Sequence, residues 1–189
     1  MTYDIILAGV GGQGVLSIAT IIARAAMIDG FEVRQSEVHG MSQRGGGVQA
    51  HMRISDRKIN SDLIPSGGAD MILAMEPAEG LRYLSFLKPD GILVTAAEPF
   101  VNVGDYPDPE ILYAAIRKLP RHRIVKAEEL AKEAGNLKAV NMVLIGAACK
   151  ALPVSEKALE KSVHDTFAAK DPRLVDINMK ALALGEAAK

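Results

Sequence analysis

Two rhythms of apolar and polar residues run along this chain, and the places where they change mark its elements. Ile5–Ala8 follows Asp4 and stops at Gly9, and a short apolar run bounded by glycine predicts a strand buried on both faces. From Gly14 to Asp29 the residues Val15, Ile18, Ile22, Ala25 and Ala26 recur at helical spacing, and Gly30 ends that helix. Phe31–Ser36 predicts a second strand, so the chain opens with a strand–helix–strand unit whose crossover is expected to be right-handed. Residues 37–47 break the rhythm. In Val48–Ile54 the apolar Val48, Ala50, Met52 and Ile54 alternate with Gln49, His51 and Arg53, which predicts a half-buried strand with His51 on a solvated polar face. Asp56–Lys58 reads as a turn into a short partner strand near Ile59.

Further on, Ala69–Ala74 predicts a buried strand and Pro77–Phe86 a helix with proline at its start. Pro89-Asp90-Gly91 reads as a turn, followed by a strand over Ile92–Thr95. Glu98–Pro109 carries three prolines and reads as a surface connection. Glu110–Leu119 predicts a helix, Arg123–Lys126 a short strand and Glu128–Ala134 a short helix. From Lys138 the pattern is helical, over Val140–Leu152, Ser155–Ala168 and Pro172–Ala187, with Ser155 and Pro172 suited to helix starts. The class this implies is α/β: a Rossmann-like, open, mostly parallel sheet with helices on both faces and a helical C-terminal third, in a single domain over residues 1–189.

Composition narrows the function. The chain has 22 Lys+Arg against 23 Asp+Glu, for a formal net charge of -1, which argues against a nucleic-acid partner. Aromatics are 4%, too few for a platform on which bases stack. No apolar run approaches the ~20 residues that span a bilayer, so no membrane partner is expected. Cys149 stands alone, which leaves no disulfide and no set of thiolates for an iron–sulfur cluster. With no secretory leader read at the N-terminus, a cytoplasmic location is expected.

Gly9-Val10-Gly11-Gly12-Gln13-Gly14 matches G-x-G-x-x-G between a predicted strand and a predicted helix. In that reading Gly9 permits the tight turn, Gly11 lets a ligand approach the backbone and Gly14 lets the helix pack on the strand. The helix end would favour an anion. Glu37 stands near the position of a ribose-binding acid. The alternative is that these glycines serve a tight turn and close packing only.

A second glycine-rich stretch, Glu37-Val38-His39-Gly40-Met41-Ser42-Gln43-Arg44-Gly45-Gly46-Gly47, has four glycines in eleven residues. Both loops should lie at the carboxyl edge of the sheet, facing each other. Arg44 could clamp a carboxylate or phosphate, and His39 could exchange protons near neutral pH. An interface or substrate gate is preferred here to a catalytic group. No residue is assigned a catalytic role, and no pair of histidines has zinc-ligand spacing. His122 and His164 read as solvated, Cys149 as a buried small residue, and Asn141 as a cap or a polar contact.

On these two loops, together with Ala74-Met-Glu-Pro77 and Asn141-Met-Val-Leu-Ile-Gly146, the chain resembles the gamma domain of the 2-oxoacid:ferredoxin oxidoreductases. Within that family it is similar to the beta subunits of the indolepyruvate ferredoxin oxidoreductases. The resemblance implies one subunit of a heteromeric enzyme that converts an arylpyruvate to its acyl-CoA and CO2. Thiamine diphosphate and iron–sulfur clusters would sit on the alpha subunit, with ferredoxin and coenzyme A as further partners, and this chain alone would bind none of these cofactors and be inactive. Carried over as partner- or substrate-proximal positions are Gly9, Gly11, Gly12, Gln13, Gly14, Glu37, His39, Gly40, Ser42, Gln43, Arg44 and Gly45. The competing readings are a free-standing dinucleotide- or flavin-binding oxidoreductase and a non-catalytic docking subunit.

Overall fold

A computed structural model describes residues 1–39, 45–101, 104–169 and 171–188, the side chain of His39 excepted. Among these residues six strands build one sheet: β1 (Thr2–Val10), β2 (Glu32–His39), β3 (Gly47–Ser55), β4 (Ala69–Ala74), β5 (Leu87–Ala96) and β6 (His122–Val125). Their spatial order is β2-β3-β1-β4-β5-β6. The pairs β1–β4, β4–β5 and β5–β6 are parallel. β3 runs antiparallel to both β1 and β2, so the other strands share one direction and the sheet is mostly parallel, as expected, with β3 as its reversed strand. The cause is the short second loop: β2 turns back directly into β3, and strands joined that way pair antiparallel. β3 thereby takes the place beside β1 and leaves β2 at the sheet edge.

Alternation along β1 divides the core. Ile5 and Leu7 join a large cluster on one face, and Ile6 joins a smaller one with Ile72, Leu93 and Ile116 on the other. The helices are α1 (Val15–Ile28), α2 (Pro77–Arg82), α3 (Pro109–Ile116), α4 (Ala127–Ala134), α5 (Val140–Ala148), α6 (Glu156–Ala168) and α7 (Pro172–Ala187). α1 and α4 to α7 supply the large cluster, while α2 and α3 flank the smaller one. α5 and α7 cross at two glycines. A Cβ on Gly146 would lie 2.0 Å from the Leu182 carbonyl oxygen, and one on Gly185 would lie 2.0 Å from that of Val143.

Several elements depart from the pattern reading. The helix begun at Pro77 ends at Arg82, and Leu84–Phe86 is a separate 3-10 turn whose Leu84 and Phe86 pack against the smaller cluster. Pro89-Asp90-Gly91 is strand, not turn; the β4–β5 register shifts between Ala69 and Met71, and a Cβ on Gly91 would meet Leu87 and the Ala69 carbonyl. An irregularity of this kind accommodates proline and glycine inside a strand. No strand forms at Ile59. Instead the Arg53 guanidinium, paired with the buried Asp4 at 2.9 Å, also donates to the carbonyls of Ser61 and Leu63 and satisfies that loop with a side chain.

That folded-back loop also overturns the expectation for His51, which is 5% exposed. Its Nδ1 accepts the Ile64 N–H at 3.0 Å, and its ring meets Phe86 edge-on. Nε2 therefore carries the proton of the neutral ring; Gln49 Nε2 stands 2.8 Å from it, and two donors cannot bond, so the Gln49 amide is turned over to present its oxygen as acceptor. Burial holds the His51 pKa below its ordinary value, with Arg53 adding to the effect. His122 is half-buried at the start of β6, its Nδ1–H bonded to the Leu119 carbonyl, whereas His164 is exposed as expected.

Candidate functional site

Open α/β sheets bind ligands where neighbouring strands send their connections to opposite faces. Here β1 leads into α1 on the large-cluster face, and its parallel neighbour β4 leads into α2 on the other, so the crevice lies between Gly9–Gly14 and Met75–Pro77. The Met75 N–H crosses it to the Ala8 carbonyl at 2.8 Å.

The structure exchanges the roles expected of two glycines. Gly9 is the packing residue, since a Cβ there would lie 2.8 Å from Val15 and 2.9 Å from Met75. Gly14 is the turn residue, with φ 90° at the start of α1. A Cβ on Gly14 would also lie 2.5 Å from Nδ2 of Asn141, which donates to the Gly14 carbonyl at 3.2 Å. Gly12 likewise has positive φ. Gln13 closes the turn internally, its Oε1 accepting the Val10 N–H at 2.7 Å.

The two glycine loops meet directly. The Gly11 N–H donates to the Gly46 carbonyl at 2.8 Å, and the Gly45 N–H returns to the Gly11 carbonyl at 3.3 Å. A pyrophosphate therefore cannot take the Gly11 N–H without breaking this contact. Glu37 lies on edge strand β2, two strand positions from β1, which is about 10 Å at ordinary strand spacing. His39 ends β2. Gly40, Ser42, Gln43 and Arg44 lie outside the described residues.

Beneath the second loop are two buried acids that the pattern reading did not single out. Glu76 accepts the N–H groups of Ala78 and Glu79 and caps α2, and the Tyr106 hydroxyl donates to it. Glu79 pairs through Oε1 with Arg82 at 2.9 Å, while its buried Oε2 has no hydrogen-bond partner among the described residues. Burial pushes the Glu79 carboxyl above the usual range, against the pull of Arg82. A Cβ on Gly47, where the loop becomes β3, would sit 3.2 Å from that oxygen. The signal available in the sequence was an acid-rich segment directly after a buried strand.

On the other side of the first loop an open cleft of about 700 Å³ is walled by Gly11–Gly14 and Gly45, and opposite them by Glu98, Phe100, Leu137, Lys138 and Asn141. Glu98 accepts the N–H groups of Ala127 and Glu128, so a carboxylate of the chain itself occupies the start of α4. Phe100 and Leu137 are 40% and 46% exposed and give the rim an apolar character.

The donor set does not suit a metal or a cluster. Cys149 is half-buried, its thiol pushed up mainly by burial, and no group of three His, Cys, Asp or Glu among the described residues is placed to hold a metal ion. No helix among the described residues is long and apolar enough to cross a membrane.

The family model described as pyruvate ferredoxin/flavodoxin oxidoreductase matches residues 4–188. The chain is similar to indolepyruvate oxidoreductase subunit IorB of Archaeoglobus fulgidus, at 40% identity over 98% of this chain and 94% of that protein. It is similar to the subunit of the same name from Pyrococcus horikoshii, at 39% identity over 97% of this chain and 94% of that protein. Among solved structures it is similar to the gamma subunit of a keto/oxoacid ferredoxin oxidoreductase from Geobacter sulfurreducens, with TM-score 0.69 and 28% identity, covering 97% of this chain and 95% of that one.

Proposed function

The chain belongs to the pyruvate ferredoxin/flavodoxin oxidoreductase family, and from that premise we propose that it is the beta subunit of a heteromeric, ferredoxin-dependent 2-oxoacid oxidoreductase. The substrate class we assign is the arylpyruvates, with indolepyruvate first. The products are the acyl-CoA, CO2 and reduced ferredoxin. In this reading the clusters belong to the alpha subunit, since one half-buried cysteine offers no cluster ligand set, and thiamine diphosphate is assigned to that subunit with them. We place the complex in the cytoplasm.

One observation carries the assignment for this chain: the two glycine loops are bonded to each other at the carboxyl edge of the sheet and border the open cleft. Such a pair forms a preset surface that can close against a partner's active site. A free-standing dinucleotide enzyme is disfavoured by the same geometry, because the Gly11 N–H is committed and Glu37 stands away from β1. The test is co-expression with the alpha subunit and indolepyruvate-dependent reduction of ferredoxin. The isolated chain should be inactive and the pair active. Full activity from the alpha subunit alone, or stoichiometric NAD binding by this chain, would overturn the proposal. Arg44→Ala separates docking from gating: loss of assembly indicates docking, and normal assembly with lowered turnover indicates action near the substrate.

A further inference from the structure

At the sheet edge opposite β2, sequence and backbone geometry combine in a way that the glycine loops do not explain. Residues 117–126 hold Arg117, Lys118, Arg121, His122, Arg123 and Lys126 and no acid, in a chain whose formal net charge is -1. β6 lies inside this segment and pairs only with β5 among the described strands. The Leu93 N–H bonds the Arg121 carbonyl and the Ala97 N–H bonds the Val125 carbonyl. By strand alternation the backbone groups of Arg121, Arg123 and Val125 face β5, and those of His122 and Ile124 face outward. Along this edge runs a groove of about 480 Å³, bordered by Glu110 and Tyr113 of α3, by Arg117 just past its end, by β6, and by Lys126.

We infer that this groove docks an extended, acid-bearing segment of a partner polypeptide, which adds as a strand to the open edge of β6. Main-chain hydrogen bonds to His122 and Ile124 supply the register, and the surrounding cations select the charge. Two exposed acids compete for those cations, but weakly. Glu110 stands 3.9 Å from Arg117 and Glu129 stands 3.3 Å from Lys126, in pairs that are mostly exposed. Arg123 is anchored on the carbonyls of Ala147 and Ala188, so its charge stays fixed beside the strand. A second copy of this chain does not fit as occupant, because two edges of one sign repel. The β2 edge differs in carrying both signs, with Glu32, Arg34 and Glu37. The available source of an acidic strand is the alpha subunit. To that extent the inference rests on the proposed function, but the assay below succeeds or fails without it.

The probe is a fluorescein-labelled peptide of alternating valine and glutamate, titrated with the full chain and read by anisotropy at low and at physiological salt. Binding should weaken with salt and fall about tenfold or more in the double variant Arg117→Glu with Lys126→Glu, both exposed positions. A valine–lysine peptide should not bind. Amide exchange should slow at His122 and Ile124 when the acidic peptide is present. No binding of the acidic peptide would overturn the inference and leave the charges as a guard of the edge. Binding without protection of those two amides, or full displacement by inorganic phosphate at matched ionic strength, would overturn it in favour of a small-anion site.

Discussion

Gly14 and Asn141 form a pair that the first glycine loop depends on, and a double-mutant cycle tests how. Gly14→Ala places a side chain at φ 90°, a left-handed conformation that costs about 1–2 kcal/mol. The new Cβ lands 2.5 Å from the Asn141 Nδ2, so the amide swings away and its bond to the Gly14 carbonyl is lost, about 1 kcal/mol net. The single variant should therefore lose about 2–3 kcal/mol. Asn141→Ala removes only the hydrogen bond and should lose about 1 kcal/mol. Both substitutions delete the same bond, so the double variant should lose about 2–3 kcal/mol, not the additive ~3–4, a coupling of about 1 kcal/mol. Urea unfolding of the four proteins at 25 °C, followed by far-UV circular dichroism, measures this. Additivity within about 0.5 kcal/mol would show that the amide does not respond to a side chain at position 14.

Gly146→Ala should be severe, above about 3 kcal/mol or incompatible with folding, because a Cβ 2.0 Å from the Leu182 carbonyl forces α5 and α7 apart; a melting temperature near wild type would refute the crossing geometry. His51, whose pKa is lowered in the fold, should contribute stability that is complete above about pH 6.5 and is lost as the pH falls below it. His51→Gln should flatten that acid limb of the stability curve. Burial raises the pKa of all four tyrosines, that of Tyr3 to about 12 and that of Tyr106 further through its bond to Glu76. Absorbance at 295 nm should show little phenolate at pH 10 in the folded protein, and the stability held by these groups below pH 10 should be lost as the pH rises through their folded values; half-ionised tyrosines at pH 10 with native circular dichroism would contradict it.

Much of the architecture lay in local signals. Ile5–Ala8, bounded by glycine, reads as a covered strand, the spacing from Val15 to Ala26 presents one apolar helical stripe, and Ser155 and Pro172 mark the starts of two late helices by their capping chemistry. The glycine turn after β1 was also legible, because the change of period from strand to helix surrounds it. Glu98 was not, since an acid declares nothing locally about whether it will be placed on a distant helix start.

By itself the sequence determined the α/β class, the turn at Gly9–Gly14, the absence of a cysteine set for clusters, and a family pattern carried by two loops. Only the tertiary structure decided that β3 separates β1 from β2, because strand order depends on pairing between segments far apart in the chain. The same holds for which glycine packs and which turns, a matter of what each Cβ would meet across space: Met75 for Gly9, Asn141 for Gly14. It holds also for His51, whose alternating strand predicted water until the loop held by Arg53 folded over it. Periodicity reports which residues share a face; what covers that face is decided by the rest of the fold.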